Sequence, residues 1–260
     1  MCKKSSPHLT LGTRKSALAQ WQTNHVRHAL IAVQPDRNVE VRLFLTQGDK
    51  TLNRPLPQIG GKGLFTLELE EALHEGTIDG AVHSLKDLPV DNAPGLTVGA
   101  IVGREDVRDV LIAGNGWSLE TLPRQAVVGT SSLRRQAQLL QHRPDLQIRS
   151  IRGNVETRIN KTLQGEYDAV VLAAAGVIRL GLISHITEWL PLDVMLPAPG
   201  QGALAVQCRL DDPETLALFS AIDNNDVRIC VTAERSFLHH LDAGCSTPVA
   251  AHATLGTGGI

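Results

Sequence analysis

One order of predicted secondary-structure elements occurs twice in this chain, and the repeat limits the folds that it can adopt. The first copy alternates strands and helices, beginning with a strand, at 9–11, 17–33, 39–45, 64–75 and 79–83. The second copy repeats that alternation at 126–129, 133–142, 146–151, 155–163 and 168–173. Alternating strands and helices are typical of α/β folds. The repeat therefore predicts two similar α/β lobes with a cleft between them.

Cations and hydroxyl groups follow the predicted strands at several junctions. Strand 126–129 leads into Thr130, Ser131 and Ser132, which suit a helix start, and then into the adjacent Arg134 and Arg135. Two arginines in a first helical turn oppose the helix dipole unless an anion lies at that end. Three other strand-to-loop junctions carry similar residues, namely Arg14 with Ser16, Ser84 with Lys86, and Arg152, with Arg158 one turn into the helix that follows. Because such junctions meet at one edge of an open sheet, we expect a shared anion site. Scattered, solvated surface charge is the alternative.

The charge balance indicates what kind of anion this site would bind. The chain has 25 Lys and Arg against 27 Asp and Glu, and only 3% of its residues are aromatic. A nucleic-acid-binding protein usually has a broad basic surface, with stacking aromatics where it binds single strands. Cations confined to loop junctions favour a small polyanion, and we expect no nucleic-acid partner.

Length and targeting signals set further limits. The 260 residues suit about two domains, and no apolar run approaches the ~20 residues that span a bilayer. The first residues lack the apolar core of a signal peptide, and the four cysteines are scattered. We therefore expect a cytoplasmic protein without a membrane partner. The helix predicted at 226–241 and a strand at 248–255 indicate a smaller third domain.

Two segments offer groups for chemistry. Lys86 and Asp87 place an ammonium beside a carboxylate at a strand end, where Lys86 would bind a substrate carboxylate and Asp87 would face developing positive charge. A plain turn with solvated side chains is the alternative. Cys245 lies between Gly244 and Ser246 in a loop, which makes it a candidate for covalent attachment. An inert, partly exposed thiol is the alternative. No nearby residue would orient a base for a Cys–His hydrolase. The histidines lack metal-ligand spacing, and we expect no metal.

Six motifs resemble the porphobilinogen deaminase family, in the same order, from about residue 9 to 255. They are Gly12–Ala19, Gly60–Phe65, His83–Pro89, Gly129–Arg135, Arg152–Asn154 and Gly244–Ser246. The resemblance implies an enzyme that joins four porphobilinogen molecules head to tail into linear hydroxymethylbilane, with release of ammonia. It also implies two doubly wound lobes like those of periplasmic-binding-protein domains, and a small α+β third domain. The implied boundaries are 1–102 with 203–222, then 103–202, and finally 223–260.

The resemblance also assigns roles to residues. Cys245 would carry a dipyrromethane cofactor through a thioether, Asp87 and Lys86 would be catalytic, and Phe65 would lie near the growing chain. The carboxylate-binding positions would be Arg14, Ser16, Ser84, Lys86, Thr130, Ser131, Ser132, Arg134, Arg135, Arg152, Arg158 and Arg179. We expect a monomer. A solute-binding module with the same cleft stays open as an alternative, as does a Schiff-base enzyme that uses Lys86 or Lys62.

Overall fold

The computed structural model describes residues 8–50, 66–241 and 247–256. Within these residues the chain forms two five-stranded sheets, each packed between helices. Its strands are β1 His8–Arg14, β2 Asn38–Phe44, β3 Gly80–Ser84, β4 Leu96–Arg104, β5 Asp109–Ala113, β6 Val127–Gly129, β7 Gln147–Arg149, β8 Ala169–Ala173, β9 Glu188–Trp189 and β10 Ala203–Arg209. Its helices are α1 Ala17–Val33, α2 Gln47–Lys50, α3 Leu67–His74, α4 Leu133–His142, α5 Val155–Leu163, α6 Ala174–Arg179, α7 Pro213–Ser220 and α8 Asn225–His240.

The two sheets share one topology. The first has the order β2-β1-β3-β10-β4, in which β1 runs parallel to β2 and β3 while β10 runs antiparallel to β3 and β4. The second has the order β7-β6-β8-β5-β9, in which β6 runs parallel to β7 and β8 while β5 runs antiparallel to β8 and β9. The expectation of two similar α/β lobes is confirmed. Strands β4, β5 and β9 lie outside the segments of the repeat and were not predicted.

Each sheet buries apolar side chains on both faces, as a doubly wound lobe requires. In the first lobe, Leu11 of β1 packs with Val26 and Leu30 of α1, and Phe219 of α7 completes the same cluster. Ser16 caps α1 by accepting a hydrogen bond from the Ala19 backbone N–H at 3.3 Å. These contacts fix the carboxyl ends of the strands, where the predicted site residues lie.

Two stretches, 104–109 and 197–203, pass between the lobes and are called the crossing segments here. They contact each other directly, since the Glu105 backbone N–H donates to the Gly202 carbonyl at 3.1 Å. Gly202 has a φ of +86°, and a Cβ there would lie 2.4 Å from the Glu105 carbonyl oxygen. Only glycine therefore permits so close an approach of the two segments.

The segment from α8 onward packs on the first lobe. Val231 of α8 lies in one apolar cluster with Leu85, Leu88 and Ile101. The strand predicted at 248–255 is wrong, because these residues lie in no sheet that the structure describes. Their backbone instead bonds to single groups, with Ala253 N–H donating to Glu234 Oε1 at 2.8 Å. Among the described helices, none has the length and apolar character to span a bilayer.

Candidate active site

The turn that carries Lys86 and Asp87 follows β3 directly as a short 3₁₀ helix, Leu85–Asp87. Leu85 and Leu88, which flank Lys86 and Asp87, are buried at 1% and 2% exposure, whereas Asp87 itself is exposed. Arg235 of α8 binds the backbone that follows the turn. It donates to the Leu88 carbonyl at 3.1 Å and to the carbonyls of Pro89 and Val90. The backbone around Asp87 is therefore fixed while its carboxylate stays accessible.

Lys86 points from this turn toward the crossing segments. Its Nζ donates to Gln201 Oε1 at 3.2 Å. Burial lowers the pKa of Lys86 to about 8, an effect that the charge of Asp87 opposes and that of Arg135 reinforces. Lys86 is thus an ammonium held in a site that does not solvate it fully.

Arg134 and Arg135 lie in the first turn of α4, and both bind the same buried carboxylate, Asp109 of β5. Arg134 Nη2 donates to Asp109 Oδ2 at 2.7 Å, and Arg135 Nη2 donates to Oδ1 at 2.8 Å. Burial alone would raise the pKa of Asp109, but Arg135 and Arg134 hold it well below its ordinary value. The anion predicted at this helix start is therefore supplied, at least in part, by the chain itself.

The hydroxyl groups before α4 bond within the junction. Ser132 caps the helix by accepting from the Arg135 N–H at 3.4 Å, and Thr130 Oγ1 accepts from the Ser132 N–H at 3.2 Å. Ser131 donates to the Ile151 carbonyl at 2.8 Å and accepts from the Ile151 N–H, which joins the loops after β6 and β7. These bonds shape the loops on which the arginines are carried.

Arg152 and Arg158 bring positive charge from the loop after β7 and from α5. Arg158 Nε donates to the Gly153 carbonyl at 2.8 Å. Burial lowers the pKa of Arg158 to about 10, the charges of Arg135 and Arg152 add to this, and Asp87 opposes it. Since these charges are close enough to influence each other, the strand ends of the two lobes face one another across the site.

The remaining predicted residues lie around this centre. Arg14 ends β1 and electrostatically affects His83, whose pKa falls to about 4, mainly through burial. Ser84 Oγ accepts from Gln22 Nε2 at 2.9 Å. Arg179 lies at the crossing segments instead, donating to the Gly202 carbonyl at 2.6 Å.

Cys245 and Phe65 lie outside the described residues. The two cysteines within them, Cys208 and Cys230, are buried, and burial raises the pKa of Cys208 to about 11. Neither is therefore suited to form a thioether. No cluster of three or more potential metal ligands is found in the part of the chain that the structure describes.

Two residues of this site were missed in the sequence analysis. Asp109 begins the apolar strand β5, and Gln201 lies between two glycines in the second crossing segment. A lone carboxylate at the head of a buried strand is a usable signal, because it requires a cationic partner. The sequence offered no comparable signal for Gln201, whose side-chain partners all lie far from it along the chain.

Two family models match the chain over most of its length. "Porphobilinogen deaminase, dipyromethane cofactor binding domain" matches residues 9–217, and "Porphobilinogen deaminase, C-terminal domain" matches residues 228–259. Curated relatives with the name porphobilinogen deaminase include one from Brevibacillus brevis, which is 50% identical over 246 residues, covering 95% of this chain and 80% of the relative. Another, from Syntrophotalea carbinolica, is 51% identical over 251 residues, covering 96% and 80%.

Solved structures of other proteins share the architecture. The methionine binding protein MetQ aligns with a TM-score of 0.51 at 13% identity, covering 96% of this chain and 99% of MetQ. CbnR, a LysR family transcriptional regulator, aligns with a TM-score of 0.50 at 14% identity, covering 85% and 68%. At such identities the likeness shows the two-lobed fold alone.

Proposed function

The chain belongs to the porphobilinogen deaminase family, and from this premise we propose that it condenses its substrate in the cleft between the two lobes. The enzyme is a transferase of tetrapyrrole biosynthesis that polymerises four porphobilinogen molecules into linear hydroxymethylbilane and releases ammonia. It uses a dipyrromethane cofactor. The sequence left open a pure binding module and a Schiff-base enzyme. Membership in the porphobilinogen deaminase family argues against both.

The site concentrates positive charge. Five cations, called the cationic cluster here, lie close together, and among the described carboxylates Asp87 and Asp109 act on members of this cluster. The cluster consists of Lys86, Arg134, Arg135, Arg152 and Arg158. Burial lowers the pKa of Lys86 to about 8 and that of Arg158 to about 10, so their charged forms lack full compensation. Such a site gains stability when it binds anions.

The pyrrole units of the cofactor and substrate each carry an acetate and a propionate, and this donor set fits them. Guanidinium groups bind carboxylates through paired hydrogen bonds, and an ammonium adds a compact charge. When bound, dipyrromethane supplies the nucleophilic pyrrole carbon to which the first substrate unit is joined. We assign carboxylate binding to the cationic cluster, with Arg14, Ser16, Ser84, Thr130, Ser131, Ser132 and Arg179 contributing around it.

Asp87 is the group that we assign to the chemistry. Loss of ammonia leaves positive charge on the substrate's pyrrole, and an exposed carboxylate on a rigid turn can stabilise that charge without reorganising. Lys86, beside it, would hold a substrate carboxylate and so fix the reacting carbons in line. Phe65 would lie near the growing chain, as its position in the family motif suggests.

We assign the covalent attachment of dipyrromethane to Cys245. The assignment is supported by the burial of Cys208 and Cys230 and by the glycine and serine that flank Cys245.

We further propose a cytoplasmic monomer without nucleic-acid or membrane partners, in keeping with a net charge of −2. Light scattering of the purified protein tests the monomer.

Replacing Asp87 tests the assigned chemistry. Asp87→Asn removes the charge at nearly constant shape, and we expect single-turnover elongation to fall at least ~10²–10³-fold while substrate is still retained. Asp87→Glu keeps the charge but moves it, and should retain part of the rate. Asp91→Asn, an exposed aspartate four residues along, is the matched control. Elongation by Asp87→Asn at the wild-type rate would make Asp87 a turn residue only.

A further inference from the structure

Gln201 lies where the two crossing segments meet, and its side chain contacts groups of both lobes. The residue is fully buried, at 0% exposure. Its Oε1 accepts from Lys86 Nζ at 3.2 Å, while its Nε2 donates to Asp109 Oδ1 at 2.9 Å and to the Val107 carbonyl at 2.7 Å. One amide therefore connects the lysine of the first lobe to the carboxylate that holds Arg134 and Arg135 in the second.

The chemistry of these neighbours requires an amide. An ammonium can only donate, whereas an ionised carboxylate and a backbone carbonyl can only accept. The bridging group must accept on one side and donate on the other, which also fixes the orientation of the Gln201 amide. A carboxylate here would face Asp109, and an apolar side chain would remove the Lys86 acceptor and one of the hydrogen bonds to Asp109.

The backbone of Gln201 is held as firmly as its side chain. Its N–H donates to the Ala198 carbonyl at 2.9 Å, and its carbonyl accepts from Arg104 Nε at 2.9 Å. The Arg104 guanidinium in turn forms a bidentate pair with Glu234 at 2.8 and 3.0 Å, and Glu234 also accepts from the Gly200 N–H at 2.7 Å. The point from which the amide extends is thus fixed by a buried ion pair.

We propose that Gln201 is a positioning residue for the condensation, an amide bridge that sets the distance between Lys86 and the Asp109-bound arginines across the crossing segments. The inference rests on the proposed function, because that distance matters only if these cations hold carboxylates of neighbouring pyrrole units in the cleft. Gln201 acts through Lys86 and contacts neither substrate nor cofactor.

The bridge has an electrostatic consequence that a purely structural glutamine would lack. The charged groups that face Lys86 are Asp87 in its own turn, Asp109 on β5, and Arg134 and Arg135 on α4. A hydrogen bond from the ammonium to an amide oxygen favours the charged form. Without that acceptor, Lys86 would lose its proton at a lower pH and cease to bind a carboxylate there.

The test compares Gln201→Met and Gln201→Glu with Gln207→Met. Gln207 is a matched control, because it is also buried, at 1% exposure, and its Oε1 has no hydrogen-bond partner among the described residues. The first readout is the protonation midpoint of Lys86 in the full chain with ¹³Cε-labelled lysine, assigned by comparison with Lys86→Arg. The second is the pH at which elongation declines on the basic side.

We expect Gln201→Met to shift both midpoints to lower pH, corresponding to roughly a tenfold change in the protonation equilibrium. Gln201→Glu should shift the Lys86 midpoint to higher pH, and Gln207→Met should leave both unchanged. If Gln201→Met does not fold, the Lys86 midpoint of Gln201→Glu alone tests the bridge. A Lys86 midpoint that neither Gln201 variant moves would overturn the bridge. If instead wild type made no hydroxymethylbilane, the proposed function would fail, while the Lys86 titration would still test the bridge.

Discussion

At the residue scale, the Asp109 carboxylate allows two adjacent arginines to begin a helix. Cations at that end oppose the helix dipole, and Asp109 is fully buried between them. The sequence predicted that Arg134 and Arg135 need an anion, because the charge pattern is local. It did not predict Asp109, because the contact joins residues 25 and 26 positions apart and depends on how β5 enters the sheet.

Asp109→Asn should destabilise the fold strongly. It leaves two buried guanidinium groups without a counter-charge, and breaking a buried pair in this way costs about 3–5 kcal/mol. Urea denaturation measures the loss of unfolding free energy. Asp106→Asn is the control, because its pair with Arg108 is partly exposed and should contribute about 1 kcal/mol or less. Similar losses for both variants would contradict the burial argument.

Activity should depend on the protonation of Lys86. Its pKa of about 8 lies below that of an ordinary lysine, so the ammonium is complete well below pH 8 and is lost as the pH rises through that value. Elongation should therefore decline above about pH 8. Lys86→Arg keeps the positive charge at higher pH, and whatever rate it retains should show no such decline. If the elongation rates of wild type and Lys86→Arg declined identically above pH 8, a group other than Lys86 would cause the decline.

At the element scale, the predicted helices form close to their expected bounds, whereas the last predicted strand does not form. The short helices α2 and α6 were not predicted. Helix α4 has the predicted bounds because its N-cap, Ser132, and its apolar spacing are local signals. Residues 248–255 have strand-like composition, but a strand also requires a partner of suitable register. Their backbone bonds go to Pro197 and Glu234 instead, which composition could not predict.

The two ends of α4 should respond differently to loss of an arginine. Arg143 donates to the Leu119 and Leu122 carbonyls at 2.7 and 3.1 Å, so Arg143→Leu should cost about 1.5–3 kcal/mol of unfolding free energy without changing elongation by the folded enzyme. Arg135→Leu should impair cofactor loading as well as stability. Thermal unfolding and single-turnover rates separate the two effects. Arg124→Leu, at an exposed site, should change neither.

At the scale of the whole molecule, the internal repeat was enough to predict two lobes and the edge at which their loops meet. The contacts between the lobes could not be predicted, since Lys86 and Gln201 are 115 positions apart. Such pairings depend on how both crossing segments pack, for which the sequence carries no periodic signal. The repeat thus supplies the cleft, and the buried polar contacts of the crossing segments hold its cationic cluster in place.

We propose that substrate units are added one by one to a primer attached at Cys245. Intact mass spectrometry of the full chain, before and shortly after addition of porphobilinogen, is the decisive experiment. We predict a dipyrromethane increment on the purified wild type and a ladder of further single-pyrrole increments after substrate addition. Cys245→Ala should show neither, whereas Cys230→Ala should show both. Formation of hydroxymethylbilane without any covalent ladder, or an equal ladder on Cys245→Ala, would rule out Cys245 as the attachment site of the primer.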